Sequence, residues 1–273
     1  MKKIIALILT LVIMTLSLAI FTGCGEDTLV VYTESGFAPF EYVKNGEIVG
    51  VDVDIMNLVG EKLGKEIVFD DVDFDIIVDE VSKGNLTNIG AAGISVTPAR
   101  QEKVDFSNEY YTAELYVIYL NEKSGTFESM TTDNVTGIYW ESLKGKNIAV
   151  QAGTTADLFA ADEIEKGLLK DSGAKLTTYA TLANAVADVG LNVDVLIIDE
   201  LPAKKLIEGN NKLKASPLYY KGEDGEADEA ATDTYAICVT KGQTELLEAI
   251  NEVLAELGEE GIQALVDKHL GIK

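Results

Sequence analysis

Short β-prone runs alternate with amphipathic helical stripes along most of this chain, and the alternation is laid down twice. Thr28–Thr33 (TLVVYT) has the β-branched and aromatic composition of a strand. Ile55, Leu58, Val59 and Leu63 recur at i, i+3, i+4 and i+8, the apolar stripe of a helix that Gly64 closes. Glu66 to Phe69 predicts a second strand, joined by the acidic link Asp70 to Asp73 to a helix that carries Ile76, Ile77 and Val81 and stops at Gly84. Ile89 to Ile94 is a third strand and Glu114 to Leu120 a fourth. Residues 121–146 are polar and predict a loop-like link, with one apolar cluster at Ile138, Tyr139, Trp140 and Leu143. The series then restarts. Strands are expected at 147–150, 175–179, 193–198, 212–215 and 234–240. Helices are expected from Thr154 or Thr155 to Ile164, at 182–189, from about Leu201, along Leu246 to Leu257, and over Glu260 to His269. Alternation of this kind predicts an α/β chain whose parallel sheets are covered on both faces. Ligands in such sheets sit in the crevice at the carboxyl ends of the strands.

The first residues stand apart. Lys2-Lys3 is a positive n-region, Ile4 to Ile20 an apolar run, and Thr22-Gly23-Cys24 follows at once. That is a secretory signal, and a cysteine after a small pair resembles the bacterial lipoprotein cleavage box. Residues 1–23 are therefore read as a lipoprotein signal peptide, with Cys24 the lipidated (palmitate-bearing) N-terminus on the outer face of a cell membrane. Net charge is −24. Removing the leader takes away only Lys2 and Lys3, so the 22 basic residues fall to 20 against 46 acidic and the charge becomes −26. Such a chain repels nucleic acid and anionic membrane surfaces. With two Cys and one His, a Cys/His zinc cluster is unavailable, and Cys238 inside an apolar run reads as a buried free thiol. Residues 221–233 are acidic but lack the alternating oxygen spacing of a calcium loop, so a solvated surface loop is expected. No metal and no cofactor is expected.

The stretch Gly93 to Arg100 (GISVTPAR) carries the chemistry. Arg100 presents a planar fork of donors that matches a carboxylate at two points. Ser95 adds a hydroxyl and a backbone N–H. Gly93, lacking a side chain, lets a ligand approach its backbone. Thr97-Pro98 is a helix start, N-cap then first position, and unpaired N–H groups there favour an anion. Gln151-Ala152-Gly153-Thr154-Thr155 offers a second helix start of the same kind. Asp199 ends an apolar strand at the binding edge, where it either accepts an ammonium or caps the next helix. Phe37 and Phe74 stand in strand-to-helix links, as does Glu34, and all converge on one sheet edge. His269 near the C-terminus reads as a surface residue or a favourable helix-end charge.

Together these pieces resemble the extracytoplasmic solute-binding proteins of polar amino-acid ABC importers, solute-binding protein family 3. The resemblance runs from about Leu29 to Gly271. It rests on PFEY from Pro39, GVDVDI from Gly50, GISVTPARQEKVDFSNEYY from Gly93, QAGTT from Gln151, VDVLIID from Val193 and TYAICVTKG from Thr234. It implies the two-lobed periplasmic-binding-protein fold, with two parallel-rich α/β lobes joined by two crossover strands. Lobe 1 would comprise 27–113 and 218–273, lobe 2 114–217. It implies that Arg100, Ser95 and the Thr154–Thr155 region hold an α-carboxylate and that Asp199, helped by Gly93 and Ser95, holds the α-ammonium. Phe37 and Phe74 would sandwich the side chain, and Glu34 and Gln151 would read its far end.

The function expected is capture of a polar amino acid, glutamine or a basic one, in the interlobe cleft and its delivery to a membrane ABC permease. The protein would act as a lipid-anchored extracytoplasmic monomer, not an enzyme. The competing reading is a periplasmic lyase on the same scaffold, similar to cyclohexadienyl dehydratases. That needs a positioned acid or base, and Glu34 is the one attractive candidate.

Overall fold

The structure is a computed structural model, described here for residues 27–132, 135–222 and 228–272. The expected Cys24 anchor and the leader lie outside these residues. Two parallel sets of strands define the architecture. Thr28–Thr33 lies between Glu66–Asp71 and Ile89–Ser95, parallel to both. Asn147–Gln151 lies between Lys175–Tyr179 and Val195–Asp199, again parallel to both. Each set is flanked by a long antiparallel strand. Thr232–Thr240 pairs with Ile89–Ser95, and Tyr111–Leu120 pairs with Val195–Asp199. These two long strands then pair with each other, Thr232 opposite Glu114 through Tyr235 opposite Tyr111. They are the two crossover strands that join one parallel set to the other.

The apolar core divides accordingly. Val31, Ile55, Val59, Ile89, Ile237 and Ile250 belong to one cluster, and Tyr32, Ile77, Val81 and Ile94 to a second on the other face of the same strands. Val117, Trp140, Ile148, Val195, Leu218 and Ala231 form a third, and Ile118, Ala149, Leu182 and Leu196 a fourth. Strands buried on both faces read as unbroken apolar runs, which is why VLII and IGAAGI carry no alternation.

Local signals place the ends of the elements. Gly64 and Gly84 take the left-handed conformation after the helices Val51–Leu63 and Phe74–Lys83. Asn45 and Gly46, both with positive φ, close the hairpin between Glu41–Lys44 and Glu47–Val49. The last helix runs as one element, Thr244–Leu270, with a break in backbone geometry at Gly258 that marks the two expected segments.

Four expectations need correction. The strand from Glu66 continues through Asp70 and Asp71, because parallel pairing with Tyr32 and Thr33 carries it past the apolar residues. Residues 121–146 are not a featureless link: Ser129–Thr132 and Val135–Tyr139 pair antiparallel, and Ile138 and Tyr139 dock on Leu218 and Tyr219. The acidic segment after Lys221 is not solvated throughout, since Glu229–Ala230 pairs with Tyr219 and Tyr220, and Asp233 is buried. The side chain of His269 is only 7% exposed: Nε2 meets Asp54 at 2.8 Å and Nδ1 meets the Tyr42 hydroxyl at 3.2 Å. It clasps the C-terminal helix to the helix Val51–Leu63.

Candidate functional site

Nine of the ten residues expected to bind ligand line one cavity: Glu34, Phe37, Phe74, Gly93, Ser95, Gln151, Thr154, Thr155 and Asp199. Ala92 and Glu41 complete the lining. The residues come from both parallel sets, so the cavity lies between them. Four stand at carboxyl ends of strands: Glu34 after Thr28–Thr33, Ser95 and Gln151 at the last positions of their strands, and Asp199 likewise.

Arg100, the tenth, stands behind this lining. Nη1 donates to the carbonyl of Ser95 at 2.6 Å, and Nη2 donates to the carbonyl of Gly153 at 2.9 Å. One guanidinium thus ties the first parallel set to the helix start of the second. Its plane lies near the Phe74 ring, with Cζ 5.6 Å from the centroid. Burial lowers its pKa, and the Asp233 charge pulls the other way. Thr97 caps Arg100 as expected, accepting from its backbone N–H at 3.2 Å. The helix it begins is a single turn, Pro98–Gln101, too short to build a macrodipole, so its expected pull on an anion is small. The helix after Thr154 is longer, Thr155–Glu165, with the Thr154 hydroxyl accepting from Asp157 N–H.

Asp199 does not take the capping alternative. It precedes the helix Glu200–Leu206 but makes no side-chain cap, and Oδ1 has no hydrogen-bond partner among the described residues. Burial and the negative charge of Asp233 push its pKa up to about 8, against smaller opposing effects that include the Tyr235 hydroxyl. An unsatisfied buried carboxyl on a cavity wall is a group in want of a donor. Glu34 is also buried. Desolvation raises its pKa, with Asp71 and Asp73 adding to the rise, while Gln151 and the Gly36 N–H lower it. Gly36 leaves room for this carboxylate: a Cβ there would lie 2.7 Å from Glu34 Oε1.

Gly93 has φ +55°, and a Cβ would come within 2.9 Å of the Phe37 ring. Its N–H donates to Asp52 Oδ2 at 2.9 Å, while Tyr110 donates to Asp52 Oδ1 at 2.5 Å. Burial raises the Asp52 pKa to about 6 against these two bonds. Gly153, with φ +74°, faces the helix Phe74–Lys83 of the other half. A Cβ there would meet Asp75 Cβ at 2.9 Å.

Two residues of the site escaped the sequence reading. Asp233, on the crossover strand Thr232–Thr240, accepts from Ser95 Oγ at 2.5 Å and also from Thr155 Oγ1. A buried acid two positions before the buried Tyr235 was its only local signal, and the acidic run before it hid that. Glu41 is 1% exposed, and its Oε2 has no partner among the described residues. It sits inside the PFEY motif.

A cleft between two α/β halves, lined by aromatics and carboxyls with a buried arginine behind them, is the arrangement of a solute-binding protein. The sequence relatives agree. Residues 29–272 match the model for bacterial extracellular solute-binding proteins, family 3, and the chain belongs to that family. It is 28% identical over 238 residues to the arginine-binding extracellular protein ArtP of Bacillus subtilis, covering 87% of this chain and 83% of that one. Among solved structures it resembles the substrate-binding protein AbpA of Streptococcus pneumoniae bound to L-arginine, with a TM-score of 0.75 and 26% identity over 90% of this chain and 95% of that one. An ancestral arginine-binding protein bound to arginine superposes with a TM-score of 0.73 at 27% identity, over 90% and 99% of the two chains. The two-lobed fold is that of these proteins. Among the described residues no helix is long and apolar enough to cross a membrane.

Proposed function

We propose that the amino acid this protein binds and delivers to its ABC permease carries a cationic side chain. One observation carries the reading: the ionisable side chains that line the cavity are all carboxyls, Glu34, Glu41 and Asp199. A zwitterion with a neutral or acidic side chain leaves this excess uncompensated, whereas arginine or lysine brings two positive groups and one negative. The names of ArtP and of the arginine-bound AbpA structure support the same choice.

In this reading Asp199 accepts from the α-ammonium. Arg100 and the Ser95, Thr154 and Thr155 segments face the α-carboxylate, and the carbonyl of Gly93 lies within reach of the ammonium. Phe37 and Phe74 flank the aliphatic stem, and Glu34 with Gln151 meets the head group. Charge-assisted hydrogen bonds at each end must offset dehydration of the ligand. Closure is favoured because only the closed form joins the contacts from both halves. A thermal-shift screen of the twenty amino acids tests the reading, since a ligand that binds only the native state raises the melting point. Arginine and lysine are expected to give the largest shifts. A larger shift with glutamine or glutamate sinks it.

The sequence reading divides the lobes as 27–113 with 218–273, and 114–217. Packing of Leu218 and Ala231 in the core of the second half supports moving the return point to about 231. The protein acts without turnover. Incubation with prephenate or arogenate is expected to leave both intact, and an aromatic product would restore the lyase reading. Cys24 is lipidated and tethers a monomer to the outer face of the membrane. Cys24→Ser is expected to release the protein into the medium, and gel filtration checks the monomer.

A further inference from the structure

We propose that Glu41 determines specificity in this cavity: with Glu34 it pairs the cationic head of the ligand's side chain and sets the preference for a basic over a neutral amino acid. This rests on the cationic-ligand reading above and assigns a residue to it. Glu41 opens the strand Glu41–Lys44 and lies opposite Phe37, one of the cavity aromatics, in the small three-stranded sheet. The strand follows Phe40, whose ring is wholly buried against Tyr111 and Tyr235, so the backbone that carries Glu41 is anchored. Its side chain lines the cavity, and Oε2 is shut off from solvent with no hydrogen-bond partner among the described residues.

Among the described residues the surroundings offer it no counter-charge. The titratable groups that act on it are Asp52 and Glu34, and it acts in turn on the phenols of Tyr110 and Tyr235. Asp52 is no model for its behaviour, because Asp52 has two donors of its own, Gly93 N–H and Tyr110 hydroxyl. Glu41 is left over. Burial without a donor for Oε2 disfavours the ionised carboxylate, so the empty site favours the neutral form of Glu41. Burial, Asp52 and Glu34 all push its pKa well above the usual range.

A guanidinium or ammonium in the cavity supplies what is missing. On binding, the Glu41 carboxyl O–H breaks and its proton passes to the bulk buffer. The carboxylate oxygen then accepts an N–H of the ligand head. A neutral amide offers an N–H without a charge and cannot offset the ionised form, so Glu41 penalises glutamine relative to arginine. The cost falls on whichever ligand leaves a buried charge unpaired, which is how one residue separates two ligands of similar shape.

Isothermal titration of arginine and of glutamine into the wild type, Glu41→Gln and Glu41→Asp tests this. In Glu41→Gln the arginine Kd is expected to rise about 30-fold or more, as when a buried charged pair loses one member. The glutamine Kd is expected to change by less than about threefold. Protons released per arginine, from titrations in phosphate and in Tris, should fall in the same variant. Glu41→Asp retains a carboxyl and should keep most of the preference. A correctly folded Glu41→Gln with an unchanged arginine-to-glutamine ratio overturns the assignment while leaving the cationic reading intact. A wild type that binds no basic amino acid overturns both.

Discussion

The hydroxyls of Ser95 and Thr155 lie 3.2 Å apart, one at the end of a strand in the first parallel set and the other at the start of a helix in the second. Both donate to Oδ2 of Asp233, which comes from the crossover strand between the two. Each hydroxyl has one proton to give. With both spent on Asp233, an incoming α-carboxylate must either displace that carboxylate or rely on Arg100 and backbone N–H groups.

Replacing Asp233 should therefore tighten ligand binding while loosening the protein. Asp233→Asn removes a negative charge near the ligand's carboxylate end and lifts the charge that raises the Asp199 pKa. Both changes favour a zwitterion. The same substitution weakens two charge-assisted hydrogen bonds, and a loss of about 1–3 kcal/mol in stability is expected. Titration calorimetry and urea denaturation read the two effects separately. Weaker binding would mean that Asp233 serves chiefly to orient the two hydroxyls.

Arg100→Ala should lower amino-acid affinity by on the order of 2–4 kcal/mol, the cost of stripping one member from a desolvated charged pair. Because Arg100 also bridges the carbonyls of Ser95 and Gly153, Arg100→Lys should recover only part of the loss. A lysine provides charge but not two donors in a fixed plane. Unchanged affinity in the alanine variant by calorimetry would remove Arg100 from the site.

Asp199 makes binding depend on pH. Its folded pKa of about 8 lies above the ordinary value near ~3.9, so the empty protein holds a proton there that the unfolded chain releases. For a raised pKa, this contribution to stability is complete below about pH 4 and fades as pH climbs through about 8. An ammonium requires the ionised form. Affinity for the ligand should thus increase from pH 6 to 8, with proton release, over the range in which the empty protein loses stability from this group. Asp199→Asn should abolish most of the affinity. It should also raise the melting temperature of the empty protein at pH 8, on a scale of about 2–4 °C per kcal/mol for a chain of this size. Calorimetry across that pH range and thermal melts check both halves.

Gly153→Ala should act as a wedge. The residue has φ +74°, where a Cβ costs roughly 1–2 kcal/mol, and the added carbon would press on Asp75 across the gap between the halves. Closure should suffer more than the fold of either half. Small-angle scattering with saturating ligand should report a more extended particle than the wild type. An unchanged scattering profile and affinity would show that the contact is not part of closing.

How far the residues alone carried the reading can be judged at particular positions. Thr97 and Thr154 cap their helices, and Gly64 and Gly84 end theirs, because caps depend on neighbours within one turn. The βα alternation likewise places Glu34, Ser95, Gln151 and Asp199 at strand ends, since strand direction follows from the order of elements. Asp233 could not be read that way. Its partners Ser95 and Thr155 are 138 and 78 residues distant, and the acidic run before it looked like solvent-facing chain. The clasp of His269 with Asp54, 215 residues away, was hidden for the same reason. Short-range spacing determined the elements and which edge they offer to a ligand. Whether a carboxyl there is paired, buried or left without a donor was decided only when distant strands came together, because burial and hydrogen-bond partners are properties of the packed chain and not of its local pattern.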